Sequence, residues 1–151
     1  MGLAPRVHLA GFRSDIPALM QLCDVVVHTS TAPEPFGRVI VEAMLARRPV
    51  IASDAGGAAE IIEHGHSGLL IRPGEPQALA EAVGALLQDP HLASDLADMG
   101  NRRAHARFGL NTALTRIDAY ITSVLAERRR SPVVARFARK DSVNFGASGG
   151  G

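Results

Sequence analysis

The sequence predicts an α/β fold in which a doubly wound parallel sheet is flanked by helices. Its short apolar runs are continuous rather than alternating, which is typical of strands buried on both faces. These runs alternate with segments of helical periodicity, and turns rich in glycine or proline separate the two kinds of segment. The runs predicted as strands comprise residues 7–10, 25–28, 49–53 and 69–71.

Helices are predicted between and after these strands. Asp15 can cap the first, and a short one follows Gly57 and ends at Ile62. The longer predicted helices comprise residues 37–46, 75–87, 91–108 and 112–125. We expect the helix over 37–46 to be buried, because its residues from Val39 to Ala46 are all apolar except Glu42. The last helix is expected to pack through its apolar stripe, which consists of Leu114, Ile117, Ile121, Val124 and Leu125.

Length and composition restrict the class of protein. The chain has 151 residues, the length of one ordinary domain. No apolar stretch approaches the roughly 20 residues of a membrane-spanning helix, and the N-terminus lacks the pattern of a signal peptide. Cys23 is the only cysteine, so an intrachain disulfide is excluded. We therefore expect a cytoplasmic protein, with peripheral attachment to the inner face of the membrane left open.

Charge divides the chain into two parts. Residues 1–127 carry 10 basic and 14 acidic side chains. Residues 128–151 carry 6 basic side chains and 1 acidic side chain, and they end in a glycine-rich stretch. We predict a folded domain over 1–127 and a disordered basic tail over 128–151. Such a tail can attract nucleic acid or anionic lipid. A solvated tail is favoured, and no nucleic acid partner is expected.

Two carboxylates stand where the second predicted strand leads into a helix. Burying Glu42 unpaired on the apolar helix would cost several kcal/mol. Arg38, four residues earlier, can form an ion pair with Glu42. Such pairs contribute only about 0.2–0.5 kcal/mol, and a pair with the basic residue before the acidic one is the weaker orientation. A bound ligand is the other explanation. Glu34 lies in a Pro-Glu-Pro segment that is also compatible with a rigid, solvated turn.

The neighbours of these carboxylates carry a family resemblance. Glu34 and Glu42, with Pro35-Phe36-Gly37 between them and Ala43-Met44 after them, resemble the Glu-x7-Glu signature of retaining GT-B glycosyltransferases of the family 4 type, the glycosyl transferases group 1. Further matching motifs lie at residues 11–17, 23–27, 48–53, 56–62 and 66–70. The resemblance extends from about residue 6 to residue 127. It implies a Rossmann-like, incomplete C-terminal half of a GT-B fold, with C-terminal helices.

The resemblance also implies roles for individual residues. Glu34 would be catalytic and orient the donor sugar, while Glu42 would bind the ribose hydroxyls of a nucleotide-diphosphate sugar. The other implied donor-binding residues are Phe36, Gly37, Arg38, Gly56 and Gly57. The chemistry agrees, because a carboxylate accepts hydrogen bonds from a diol and the amides of a helix N-terminus suit a diphosphate. Gly56-Gly57 is equally compatible with a plain turn.

The implied function is sugar transfer from this donor with retention of configuration, to an acceptor that is a saccharide, a lipid or a small molecule. No cofactor is implied beyond the donor substrate. The family's N-terminal acceptor domain and its diphosphate-binding Arg and Lys are not in this chain, and Arg47 replaces a customary helix-ending glycine. The alternatives are a non-catalytic nucleotide-sugar-binding module, half of a split enzyme with a separate N-terminal GT-B half, and a sugar-nucleotide epimerase.

Histidines and serines offer few other sites. His64 and His66 are close in sequence but lack the further ligands of a zinc site, so no metal is expected. No serine within residues 1–127 lies in a Gly-x-Ser-x-Gly sequence. His28 ends a predicted strand at the edge where α/β sheets bind ligands. It is either a pocket-lining residue or an ordinary loop histidine.

Overall fold

A computed structural model of the chain describes residues 2–130. Its three strands form one parallel sheet in the order β1-β2-β3. The strands are β1 (Val26–His28), β2 (Val50–Ser53) and β3 (Leu69–Ile71). Val27 lies opposite Ile51, and Ala52 lies opposite Leu70. The predicted α/β class with a parallel sheet is confirmed.

Helices follow each strand in turn. Within residues 2–130 they are a short 3-10 helix (Ala4–Arg6), α1 (Ile16–Gln21), α2 (Arg38–Leu45), α3 (Ala58–Ile61), α4 (Pro76–Gln88), α5 (Pro90–Phe108) and α6 (Leu110–Arg130). The Asp89 side chain caps α5 by accepting the backbone N–H of His91 and Leu92. One compact unit ends at Gly109 and a second begins at Leu110.

Strand β2, at the centre of the sheet, is covered on both faces. Val50 and Ala52 of β2 belong to one apolar cluster, which contains Ile40 and Met44 of α2. Ile51, between them, belongs to a second cluster that includes Leu86 of α4 and Leu96 of α5. This division follows from the alternation of side chains along a strand. Complete burial of such a side chain contributes about 1.5–3 kcal/mol, so the two clusters hold the helices against the sheet.

The strand predicted over residues 7–10 is wrong. This segment lies outside the sheet, with Val7 60% and Leu9 96% exposed. An isolated extended segment has no stability of its own and needs a pairing partner and a covered face. In the described part of the chain, the three strands pair only with one another.

The expectation of a buried helix over 37–46 is also partly wrong. Ile40, Val41, Ala43 and Met44 are buried, but Val39 and Leu45 are 40% and 43% exposed. The helix is amphipathic, and the Glu42 side chain, 33% exposed, lies at the border of its buried face. The Glu42 carboxylate therefore stays partly hydrated, and it does not carry the full desolvation cost expected for a buried, unpaired carboxylate.

A side chain of helix α5 caps the C-terminal end of α2. The side-chain amide of Asn101 donates to the backbone carbonyls of Met44 and Leu45 at 3.1 and 3.2 Å. Arg47 follows with a left-handed φ of +58°, the conformation for which glycine is customary. Its Nε lies 2.5 Å from Asp98 Oδ1 of α5. This hydrogen bond holds the pKa of Asp98 below its ordinary value, and it raises the pKa of Arg47.

Helix α6 is longer than predicted. The expected helix over 112–125 is present, and it continues through Arg130, so the boundary placed after residue 127 falls within it. Within the second unit, Leu114, Ile117, Ile121 and Leu125 of the expected apolar stripe are at least half exposed, because a single helix offers its own stripe no second apolar surface. The rest of the predicted tail, residues 131–151, lies outside the described residues.

Candidate functional site

Helix α2 begins at the carboxyl edge of the sheet, where α/β folds bind ligands. Gly37 precedes it in a left-handed conformation, with φ +85° and ψ +56°. A Cβ there would lie 3.0 Å from Ile40 Cδ1. Glycine is therefore favoured at this position both by the left-handed backbone and by the lack of space for a side chain. No side chain caps the helix, and the N–H groups of Arg38 and Val39 have no hydrogen-bond partner within residues 2–130. Such an N-terminus attracts anions.

Glu42 and Arg38 form the ion pair that their spacing allowed. Arg38 Nη2 lies 3.0 Å from Glu42 Oε1, while Oε2 has no partner in the described part of the chain. The Arg38 side chain is 83% exposed, and exposed pairs of this kind contribute at most about 1 kcal/mol. The pair therefore leaves the second carboxylate oxygen one turn inside the helix and open to a hydroxyl donor.

Glu34 lies in the loop between β1 and α2. Its Oε2 is 3.2 Å from Nε2 of His28, whose side chain is only 13% exposed. The His28 Nδ1 atom is buried without a hydrogen-bond partner. The space beside the carboxylate is too tight to hold a water molecule, and it is bordered by His28, Ser30, Ala32, Glu34, Gly37, Ser53, Ala55 and Ala58. His28 thus contacts the Glu34 carboxylate and borders this space.

The Gly56-Gly57 turn packs directly against the Glu34 loop. Gly57 N–H donates to the Glu34 carbonyl at 2.9 Å. A Cβ on Gly56 would overlap the Glu34 carbonyl oxygen, and one on Gly57 would lie 2.7 Å from Phe36 Cα. Both glycines are therefore needed because the backbone of this turn lies against the backbone of the Glu34 loop. A plain turn would not require this close contact. The two glycines fix the backbone that presents Glu34.

Phe36 anchors the other side of the loop. Its ring meets Phe108 of α5 edge-on, with centroids 5.6 Å apart and an interplanar angle of 80°. Such aromatic pairs contribute about 0.5–1.5 kcal/mol beyond their buried area. The side chain is still 46% exposed. The segment from Glu34 to Gly37 is thus held both by Gly57 and by α5.

Two arginines of α5 fix α3, behind Gly57. Arg103 Nε donates to the Ile61 carbonyl at 2.7 Å, and Arg107 Nη1 donates to the Glu60 carbonyl at 2.9 Å. The sequence analysis did not single out either arginine. Their spacing of four residues on one helix face was the available signal, but such spacing alone does not distinguish a capping role from a solvated surface.

The loop that contains His64 and His66 has a structural role. His64 Nδ1 accepts the backbone N–H of Leu70 at 2.9 Å and so ties the loop to β3. Among residues 2–130, no group of three or more His, Cys, Asp or Glu side chains is arranged to hold a metal ion. Nor does any helix in that range combine the length and apolarity needed to cross a bilayer.

The most spacious cavity described here is not at this site. It has a volume of about 800 Å³ and lies at the amino ends of the strands, where Asp24 precedes β1 and Pro49 precedes β2. It contains none of the predicted site residues. A smaller cavity of about 240 Å³ lies at the carboxyl edge and shares Ser53 with the space beside Glu34.

Several known proteins are similar to most of this chain. Residues 1–103 match the family model for glycosyl transferases group 1. The alpha-D-kanosaminyltransferase of Streptomyces kanamyceticus is 37% identical over 114 residues, which are 74% of this chain and 29% of that protein. The lipopolysaccharide core biosynthesis mannosyltransferase LpcC of Rhizobium leguminosarum is 33% identical over 128 residues, 85% of this chain and 36% of that protein. The chain thus spans about a third of these relatives.

Solved structures show the same fold. HepE of Anabaena, in complex with UDP and glucose, is 49% identical with a TM-score of 0.77, over 81% of this chain and 33% of that one. The C-terminal domain of a group 1 family protein, LpcC of Francisella tularensis, is 29% identical with a TM-score of 0.62, over 69% of this chain and 53% of that one. The chain therefore belongs to the glycosyl transferases group 1 family and corresponds to the C-terminal domain of its GT-B fold.

Proposed function

We propose that this chain is the donor-binding domain of a retaining glycosyltransferase that uses a nucleotide-diphosphate sugar. The observation that carries the proposal is the uncapped N-terminus of α2, whose unpartnered N–H groups at Arg38 and Val39 lie between two carboxylates in sequence. These N–H groups bind the diphosphate. Glu42 binds the ribose hydroxyls, and Glu34 binds hydroxyls of the donor sugar.

The chemistry assigned to these groups is binding and charge stabilisation. When the bond between the sugar and the diphosphate breaks, negative charge develops on the diphosphate. Fixed N–H donors stabilise that charge without reorganising, and a hydrogen bond to a charged group contributes about 1.5–3 kcal/mol. Glu34 orients the anomeric carbon, so that the acceptor hydroxyl oxygen bonds on the face that the diphosphate leaves, and the departing diphosphate takes up the hydroxyl proton. This outcome retains the configuration.

The nucleotide to test first is UDP. HepE, 49% identical to this chain over the aligned residues, has been solved with UDP, with UDP and glucose, and with UDP-glucose. We also propose a cytoplasmic location, because the single Cys23 fits a reducing compartment.

Turnover requires more than this domain, in our proposal. Glycosyl transfer needs donor and acceptor held together, and positioning of that kind supplies about 7–11 kcal/mol of the barrier. The chain spans about a third of its relatives, so we assign the acceptor, whether saccharide, lipid or small molecule, to contacts shared with a further GT-B half. That half is either part of a longer protein or a separate chain.

A non-catalytic binding module is the second candidate. It is favoured by the compact unit that ends at Gly109 and contains both apolar clusters, since such a unit has its own core. Mixing this chain with the N-terminal half of a relative separates the candidates. Sugar transfer that appears only in the mixture supports half of an enzyme, whereas binding without transfer in every mixture supports the module.

The donor role is tested by calorimetry of the 151-residue chain with UDP, GDP, ADP and their glucose conjugates. We expect one nucleotide to bind in the millimolar range, about −4 kcal/mol. Equal and negligible heats for all of them at about 10 mM would contradict the donor role.

A further inference from the structure

His28 joins the Glu34 carboxylate to the sheet. It is the last residue of β1, and its backbone lies opposite Ala52 of β2 in the parallel register. Its side chain is 13% exposed, and its Nε2 atom lies 3.2 Å from Oε2 of Glu34. The carboxylate belongs to a loop, whereas the imidazole belongs to a residue whose backbone is fixed by strand pairing. Side chains on strands are held more precisely than side chains on loops.

The surroundings of the imidazole ring determine which nitrogen carries its proton. Nδ1 is buried and has no hydrogen-bond partner among residues 2–130. A proton on Nδ1 would therefore be a buried donor without an acceptor, which is costly. Nε2 lies against an oxygen of Glu34, and an ionised carboxylate only accepts. An unprotonated Nε2 would turn its lone pair towards the lone pairs of that oxygen, so the proton belongs on Nε2.

The contact with His28 holds the side chain of Glu34, as the Gly57 N–H holds its backbone carbonyl. The space beside the carboxylate is too tight for a water molecule, so a ligand does not enter between these side chains. The Glu34 side chain is nevertheless 45% exposed, and a ligand reaches it from that exposed side. A carboxylate already held in one orientation does not have to be ordered when the ligand binds. Ordering one flexible side chain on binding weakens affinity about three- to tenfold.

We infer that His28 is a positioning residue, which holds Glu34 in the orientation that binds the hydroxyls of the donor sugar. The Nε2–H group of the imidazole attracts Oε2, and the exposed part of the carboxylate is left for the sugar. His28 itself does not touch the sugar, because it lies behind the carboxylate and is nearly buried. The inference rests on the proposed function, since Glu34 is assigned to that sugar there.

Two variants with side chains of equal length test the positioning role. His28→Gln keeps an N–H donor close to the place of Nε2, whereas His28→Met has the same reach and no donor. NMR titrations of the 151-residue chain with UDP and with UDP-glucose measure how much the sugar adds to the affinity. We expect the ratio of UDP-glucose affinity to UDP affinity to fall about three- to tenfold in His28→Met and to stay within about twofold of the parent in His28→Gln. The affinity for UDP alone should be the same in all three chains, because UDP has no sugar for Glu34 to bind.

The nitrogen NMR signals of the parent chain test the contact without any nucleotide. Near neutral pH we expect His28 to carry its proton on Nε2 and to leave Nδ1 unprotonated. His64 is the internal control, because its Nδ1 accepts the backbone N–H of Leu70 at 2.9 Å and its proton is therefore on Nε2. A proton on Nδ1 of His28 would overturn the inference.

The same titrations separate this inference from the proposed function. If UDP binds and the affinity ratio in His28→Met equals that of the parent, the positioning role alone is overturned. A higher ratio in His28→Met also overturns it, because the contact would then withdraw Glu34 from the sugar. If neither UDP nor UDP-glucose binds to the parent, the donor role fails and the positioning role fails with it.

Discussion

The backbone N–H of Gly57 donates to the carbonyl of Glu34 over 2.9 Å, and this contact joins the loop after β2 to the loop after β1. It explains why two adjacent glycines stand at residues 56 and 57. Any side chain there would enter the backbone of the segment from Glu34 to Phe36. The predicted catalytic carboxylate is thus positioned from a second loop, 22 residues or more further along the chain.

Gly57→Ala should destabilise the domain and weaken nucleotide binding together. The added Cβ would lie 2.7 Å from Phe36 Cα, and overpacking of this kind costs about 1–3 kcal/mol. Urea unfolding measures the free-energy change. Gly84→Ala is the control, because no atom lies within 4 Å of its Cβ and the position is inside α4. That variant should gain about 0.5–1 kcal/mol. Equal stability of the two variants would contradict the loop contact.

The Arg47–Asp98 pair should make part of the stability depend on pH. The Arg47 hydrogen bond lowers the pKa of Asp98 in the folded chain, so the stabilisation is fully present above the unfolded value of about 3.9. It is lost as pH falls through the lower, folded value. The stability difference between the parent and Asp98→Asn should therefore be constant near neutral pH and shrink below about pH 4.

Urea unfolding over a range of pH measures whether this stability difference shrinks in acid. Asp95→Asn, at an exposed position on the same helix, serves as the control for a general charge effect. A difference for Asp98→Asn that persists unchanged into strong acid would show that the ion pair does not contribute to folding.

The chain by itself should catalyse no measurable sugar transfer. The proposed site binds the donor, but it provides no enclosed cleft that holds donor and acceptor together and excludes water. Incubation with UDP-glucose and a panel of sugar acceptors should release UDP no faster than buffer does. Turnover that disappears in Glu34→Ala would show that the domain is an enzyme in its own right.

Much of the fold follows from local patterns in the sequence. Continuous apolar runs located β1, β2 and β3, although only β2 is buried along its whole length. The N-terminus of α2 was predictable from Gly37 and the apolar run after it. The segment over 7–10 shows the limit of this reasoning. Its composition suits a strand, but a strand also needs a partner, and pairing is a long-range property that local composition does not encode.

The candidate site was predictable as a set of residues but not as an arrangement. The spacing of Glu34 and Glu42 singled out the loop after β1 and helix α2. The contact of Gly57 with Glu34 and that of Phe36 with Phe108 join distant parts of the chain, and no periodicity reveals them.

The role of Glu42 is the central claim, and its rival is the ion pair with Arg38 at 3.0 Å. Glu42→Gln keeps the shape of the side chain but removes the charge that a ribose diol would use. Loss of a charged hydrogen-bond partner costs about 1–3 kcal/mol, whereas loss of an exposed ion pair costs at most about 1 kcal/mol of stability. Arg38→Met removes the same ion pair and leaves the carboxylate in place.

The decisive measurement is an NMR titration of UDP, followed through the amide signals of Arg38 and Val39, together with urea unfolding of each variant. We predict that Glu42→Gln weakens UDP binding at least about fivefold while its free energy of unfolding stays within about 0.5 kcal/mol of the parent. UDP affinity unchanged in Glu42→Gln, with equal losses of stability in Glu42→Gln and Arg38→Met, would contradict the account and leave Glu42 as a partner of Arg38 alone.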